Sequence, residues 1–263
     1  MPGGDVNFPH PLVPYASAAM CELWSDKWVA RAERRLWIVV MQQQHAAGVF
    51  DHIDDWDRKF RAYRMTQADV RLWVIQDIER ITKHDLKARV EAYNLVASQW
   101  YGERLELIHW GMTSADIVDN MALLRMRDGM ILLGNHRGAE QVPWRGIKGP
   151  VGTQQDMVDL LGSPEAAMEL DTKVAKAMGF ATLLQCVGQM SHRSIDFQVA
   201  VDVFGEIKAE PWRAIARGYM RMIEDYCGST WNEGDVMSSS VRRVALPGLF
   251  LAADADRQAD RIW

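Results

Sequence analysis

Apolar residues recur every three to four positions along almost the whole chain, and no stretch sustains the strict alternation with β-branched enrichment that marks a strand. The pattern predicts an all-α fold, a helical bundle. Ser25 precedes a stripe of Trp28, Ala32, Leu36, Val39 and Val40 that ends before Gly48, with cap and stop in the expected places. Thr66 with Asp69, Thr82 with Asp85 and Thr113 with Asp116 repeat one spacing, a hydroxyl followed three residues later by a carboxylate, which suits the unpaired N–H groups of a helix head. The helices these pairs predict carry Val70, Trp73, Val74 and Ile78; then Leu86, Val90, Tyr93 and Ala97; then Ile117, Met121 and Leu124, stopping near Gly134.

Between Gly134 and Thr153 the glycines at 134, 138, 146, 149 and 152 and the prolines at 143 and 150 predict a loop. Ser163 and Pro164 then suit the cap and first turn of a helix ending near Gly179. Residues 196–227 read as helical, with a break near Gly205, Pro211 or Gly218. The 15 Met and 11 Trp residues are read as core packing, since both types fill irregular helix interfaces.

Composition narrows the class. With 263 residues, 48% hydrophobic and 25% charged, the chain is too apolar for disorder and long enough for a sizeable core. A net charge of −5 argues against a general nucleic-acid binder, while leaving room for a local cationic pocket. Cys21, Cys186 and Cys227 fit neither a disulfide framework nor a metal-binding pair, and a reducing cytoplasm is the simplest setting. The first residues show no basic and apolar leader, and the densest apolar run, 36–41, is far short of the ~18 residues of a membrane span. The expectation is a protein neither secreted nor membrane-bound.

Most generic site motifs are missing. There is no HExxH and no nucleophile elbow; the segment 146–153 lacks the ending of a phosphate-binding P-loop, and no two histidines stand at i, i+4. Three polar clusters remain: Thr82-Lys83-His84-Asp85, His109 through Thr113-Ser114 to Asp116, and Ser238–Ser240 with Arg242-Arg243. Helix heads attract anions through free N–H groups and the positive dipole end, and paired guanidinium donors suit phosphate or carboxylate. The alternative for each is plain: Thr82 and Thr113 only cap helices, His84 is a surface residue, and the arginine pair is a solvated turn.

Taken in order, several blocks are more specific. Tyr15-Ala-Ser, Thr82-Lys-His-Asp, His109-x-Gly-x-Thr-Ser-x-Asp116, Gly146-Ile-Lys-Gly-Pro-Val-Gly-Thr-Gln154, Gly188-Gln189 with Arg193, and Trp231 through Asp235 to Arg242-Arg243 resemble the adenylosuccinate lyase family of the fumarase/aspartase superfamily. The resemblance implies an α-helical homotetramer with active sites shared between subunits, no cofactor and no metal. It implies β-elimination of fumarate from adenylosuccinate or from the succinylated imidazole-carboxamide ribotide of purine synthesis. It gives Tyr15, Ser239, Arg242 and Arg243 the nucleotide and its phosphate, and Lys83, His84, Asp85, Thr113, Ser114 and Gln154 the succinyl and base region. His84 receives a binding or orienting role. It further implies an N-terminal helical domain over 1–110 and a remnant of the central long-helix domain over 111–263.

The pattern also departs from the family. The loop GSSxMPxKxNP, whose serine removes the proton, is absent between Arg193 and Arg217, and the second histidine motif, which supplies the acid, is absent between Leu133 and Trp144. Pro14 stands where many members carry an arginine. Neither Ser191-His192 nor Asn135-His136 sits in the family's context. Two bundle segments and the C-terminal helical domain are therefore expected to be missing, with apolar faces such as Trp28/Leu36/Val40 or Ile117/Met121/Leu124 left exposed and covered by self-association. A naturally shortened inactive homologue or oligomerisation module, an incomplete sequence and a rearranged enzyme all stay open.

Overall fold

The computed structural model describes residues 10–180, 192–228 and 238–262, and every regular element among them is an α-helix. In chain order these are α1 (Ala18–Trp24), α2 (Asp26–Ala46), α3 (Trp56–Thr66), α4 (Leu72–Thr82), α5 (Asp85–Tyr101), α6 (Ser114–Leu132), α7 (His136–Glu140), α8 (Gln154–Leu161), α9 (Pro164–Ala177), α10 (His192–Glu206), α11 (Glu210–Gly228) and α12 (Ser238–Ile262). Among the described residues no helix is long and apolar enough to cross a membrane. Close contacts group the chain into two units that interleave in sequence, one of residues 26–121 and 144–185, the other of residues 1–25, 122–143 and 186–263.

In the first unit α2 is buried on most of its circumference. Leu36, Trp37, Val40 and Met41 are in the core, and so are Glu33, Arg34 and Gln44. Arg34 lies over the Tyr93 ring at 4.5 Å and donates to the carbonyls of Thr66 (3.2 Å) and Asp69 (2.6 Å). That cation satisfies the carbonyl at the end of α3, so Thr66 closes a helix where the sequence predicts an opening one. Tyr63 donates to Asn94 Oδ1 and Tyr93 to the Tyr63 carbonyl, each at 2.6 Å, which joins α3 to α5; burial holds both phenols well above their ordinary range. Ala30, Val70, Ile75, Ala88 and Ala92 form a cluster between α2, α4 and α5.

In the second unit Trp24 of α1 packs on Phe250 of α12 with ring centroids 5.2 Å apart. Two aspartates of α12 serve other helices: Asp254 accepts from Ser17 N at 2.5 Å before α1, and Asp256 accepts from Lys208 N and Ala209 N at 2.8 and 3.0 Å before α11. Unpaired N–H groups at helix heads are thus met by carboxylates from a distant segment. Gly248 has no side chain because a Cβ there would sit 2.3 Å from the Tyr219 ring.

Several boundaries differ from the sequence reading. Thr82 ends α4 because Lys83 turns into the left-handed region (φ 52), leaving His84 as the cap of α5. Ser25 Oγ donates back to the Glu22 carbonyl at 2.7 Å, at the end of α1, a helix the pattern does not reveal. The polar segment at 238–243 opens α12 and is not a turn. Trp73 is 64% exposed, outside the stripe expected for it. Most of the two faces expected to be exposed is covered within the chain: Leu36, Val40, Ile117, Met121 and Leu124 are buried and Trp28 is half-buried, while Ile81, Trp100 and Val151 are among the exposed apolar residues.

Candidate functional site

The head of α5 is built around an imidazole used as a helix cap. His84 is extended (φ −145), and its Nδ1 accepts from Lys87 N at 3.3 Å, which leaves the ring proton of the neutral imidazole to Nε2. Ser, Thr, Asp and Asn cap helices better than an imidazole does. Asp85 Oδ1 accepts from Leu86 N at 2.7 Å and lies 3.6 Å from His84 Nδ1, while Oδ2 lies 3.4 Å from Arg89. Lys83 is exposed beside them.

His109 belongs to the same surroundings. Its Nδ1 accepts from Trp37 Nε1 at 3.1 Å, and it holds φ 64, a left-handed conformation rare outside glycine. Burial, assisted by the nearby His84, lowers its value from 6.5 to about 4, so at neutral pH the ring is uncharged. Asp55, Lys83 and His109 are the non-glycine residues with positive φ among the described residues, and two of them belong to the polar blocks read from the sequence.

The glycine-rich loop before α8 is held by three polar side chains, Asn120 and Asp116 buried and Asp171 half-buried. Asn120 Oδ1 accepts from Arg145 N at 3.0 Å, Asp171 Oδ1 from Ile147 N at 2.8 Å, and Asp116 from Lys148 N at 2.8 Å and Gly149 N at 3.1 Å. Asp116 also accepts from Thr113 N at 3.0 Å, so one carboxylate joins the loop to the head of α6. Burial raises Asp116, against the pull of those N–H groups. Asp171 is pushed up to about 7 by burial, with the Ile147 N–H opposing and the charge of Asp116 adding. Gly146 adopts φ +75, and a Cβ on it would meet Asp171 Oδ2 at 2.8 Å.

Lys83, His84, Asp85, Thr113, Ser114 and Gln154 thus lie in one unit, at the heads of α5, α6 and α8, with Gln154 exposed. Among the described residues no hydrogen bond joins His84 to Thr113, Ser114 or Gln154. The remaining expected residues belong to the other unit. Tyr15 is exposed, edge-on to Trp212 with centroids 5.5 Å apart, and Arg243 is exposed. Arg242 requires a correction as a ligand residue: it is buried, with Nε 2.6 Å and Nη2 2.8 Å from the two oxygens of the fully buried Asp196, which also accepts from Tyr226. The side chains of Ser239 and Arg193, and residues 188–189 and 231–235, lie outside the described residues. Asn135 caps α7 by accepting from Gly138 N at 2.8 Å.

Sequence reasoning missed Glu33, Arg89, Asn120 and Asp171. Of these, Asn120 stands inside an apolar helical pattern, and that misplacement is the signal that would have marked it. No group of three or more His, Cys, Asp or Glu suited to a metal ion occurs among the described residues.

No family model matches the chain. It is 25% identical over 240 residues to an adenylosuccinate lyase of Schizosaccharomyces pombe, covering 70% of this chain and 48% of that protein. It is 23% identical over 340 positions to an adenylosuccinate lyase of Schistosoma mansoni, covering 92% and 69%. That alignment is longer than the chain itself, so it carries internal gaps in this sequence. The chain spans about half the length of the first of these relatives. Among solved structures, a fumarate lyase from Mesorhizobium sp. BNC1 shares its fold with a TM-score of 0.55 at 14% identity, covering 94% of this chain and 74% of that one. The shared fold and the matches to adenylosuccinate lyases support a relationship to the fumarase/aspartase superfamily.

Proposed function

We propose that this chain is an adenylosuccinate lyase-like C–N lyase that takes a succinylated purine-type nucleotide and eliminates fumarate from it. The observation that carries this reading is the run of family blocks in order, with Lys83-His84-Asp85 and Thr113-Ser114 falling at helix heads of one unit. In the reaction the proton β to the departing nitrogen is removed, the carbanion is held as an aci-carboxylate, and the nitrogen leaves protonated. Lys83 and the helix-head N–H groups suit a substrate carboxylate, and the Nε2–H of the exposed His84 suits an oxygen of the succinyl group or base. Thr113, Ser114 and Gln154 complete that region; Tyr15, Ser239 and Arg243 take the nucleotide. The proposal includes a domain division after residue 110 and a homotetramer. The test is fumarate release from adenylosuccinate by the full chain; turnover abolished in His84→Ala supports the reading, and no turnover by a folded sample refutes it.

A second reading, a non-catalytic helical oligomerisation module, is favoured by one observation: the family's proton-removing loop and second histidine motif are absent from the sequence. Self-association by light scattering without fumarate release is its expected signature.

A further inference from the structure

We propose that Lys148 is a further binding residue of the candidate site, taking a carboxylate of the succinyl group beside Thr113 and Ser114, an inference that rests on the lyase reading. Lys148 stands in a short stretch, 144–149, whose other members, Trp144, Arg145, Gly146, Ile147 and Gly149, are all buried, while Lys148 itself is half-buried and reaches the surface. The backbone on both sides of it is fixed. Arg145 N donates to Asn120 Oδ1 at 3.0 Å, Ile147 N to Asp171 Oδ1 at 2.8 Å, Lys148 N to Asp116 Oδ1 at 2.8 Å and Gly149 N to Asp116 Oδ2 at 3.1 Å. Gly146 and Gly149 turn through the left-handed region (φ 75 and 91), and a Cβ on Gly149 would meet Asp156 Cβ at 2.5 Å. The stretch therefore presents one lysine on a backbone already ordered, and a ligand meeting it is spared the cost of ordering the loop.

The same carboxylate ties Lys148 to the head of α6. Asp116 Oδ2 also accepts from Thr113 N at 3.0 Å, so Thr113 N and Lys148 N share one acceptor group. Burial raises the Asp116 carboxyl, and the charge of Lys148 is near enough to oppose it alongside the three N–H groups. Thr113 and Ser114 are half-buried, and among the described residues neither hydroxyl has a hydrogen-bond partner. An ammonium beside two hydroxyls gives a carboxylate a charge-assisted hydrogen bond and neutral ones from the same side. Within the lyase reading that carboxylate belongs to the succinyl group, the end of the substrate that Thr113 and Ser114 serve. A lysine that served only to offset the Asp116 charge would matter to folding and not to one part of a substrate.

The test is calorimetric titration of the full chain with adenylosuccinate and, separately, with AMP, which lacks the succinyl carboxylates. Lys148→Met is expected to bind adenylosuccinate at least roughly tenfold more weakly than the wild type, while its AMP affinity stays within about twofold. Thermal unfolding verifies that the variant is folded, and Lys148→Arg, which keeps the charge, is expected to recover most of the loss. Unchanged adenylosuccinate affinity in a folded Lys148→Met overturns the proposal, and so does an equal loss for both ligands, the mark of a role in the fold or at the phosphate. Should that variant fail to fold, Lys148→Gln carries the same comparison with the same deciding outcomes. Succinate keeps the two readings apart. Succinate binding that is lost in Lys148→Met, in a chain that binds neither nucleotide, sinks the nucleotide reading and leaves the carboxylate site standing; a folded wild type that binds neither nucleotide nor succinate overturns both.

Discussion

The heads of α5 and α12 offer the same kinds of residue to a reader of the sequence and use them in opposite ways. At α12, Arg242 turns inward onto the fully buried Asp196 and Tyr226. At α5, Lys83 and His84 stay exposed, while the buried charge, Glu33, pairs with Arg89, which in turn lies against Asp85. A cluster of charged and hydroxyl residues therefore does not by itself mark a ligand site. What separates the two is where the opposite charge lies: a buried partner on a neighbouring helix draws the side chain in, and a cap formed by the residue's own ring leaves it facing out.

The largest expected effect tests that distinction. Asp196→Ala leaves Arg242 buried without its carboxylate and should cost about 3–5 kcal/mol in denaturant unfolding. Asp85→Ala, on a half-exposed pair, should cost about 1 kcal/mol or less. Equal losses at the two heads would break the comparison.

The pH dependence of stability comes next. His109 has a folded value of about 4 against 6.5, so the unfolded chain takes up a proton that the folded chain refuses. Stability should fall as pH drops from 6.5 toward 4, by up to about 3 kcal/mol, and His109→Gln should remove that slope. Asp171 acts in the opposite sense: its folded value of about 7 against 3.8 gives stability that is lost as pH rises through 7. Asp171→Asn should therefore leave a steeper rise in stability between pH 4 and 6.5.

Gly146→Ala places a Cβ at positive φ and 2.8 Å from Asp171 Oδ2, and a loss of about 1–3 kcal/mol is expected in thermal unfolding. Arg243→Ala should be the mildest for the fold, within about 0.5 kcal/mol of wild type, because the residue is exposed. A large destabilisation by Arg243→Ala would show that both arginines at the head of α12 are structural.

The helical class and many boundaries were legible because period and caps are local signals. Ser163 Oγ accepts from Ala166 N at 3.1 Å, Gly48 and Gly179 are left-handed after their helices, and Asp116 reaches back to Thr113 as the spacing predicts. Two of the errors arose where a distant residue decided a local choice. Arg34, far away in sequence, takes the carbonyl of Thr66, and Asp196 takes Arg242; neither pairing leaves a mark within a few residues of its partner. At the site, the exposed blocks were readable as motifs, but the groups behind them were not. Glu33 lies in the charged run 31–35 and Asp171 between Glu169 and Lys173, where the sequence alone reads a solvated face.

Calorimetric titration of adenylosuccinate into the full chain asks whether the head of α5 belongs to a ligand site of a lyase-type fold. Saturable binding is expected for the wild type, with at least a roughly tenfold weaker affinity in His84→Ala, or about 1.4 kcal/mol. No binding by a folded wild-type sample, or the same affinity in both proteins, would contradict it.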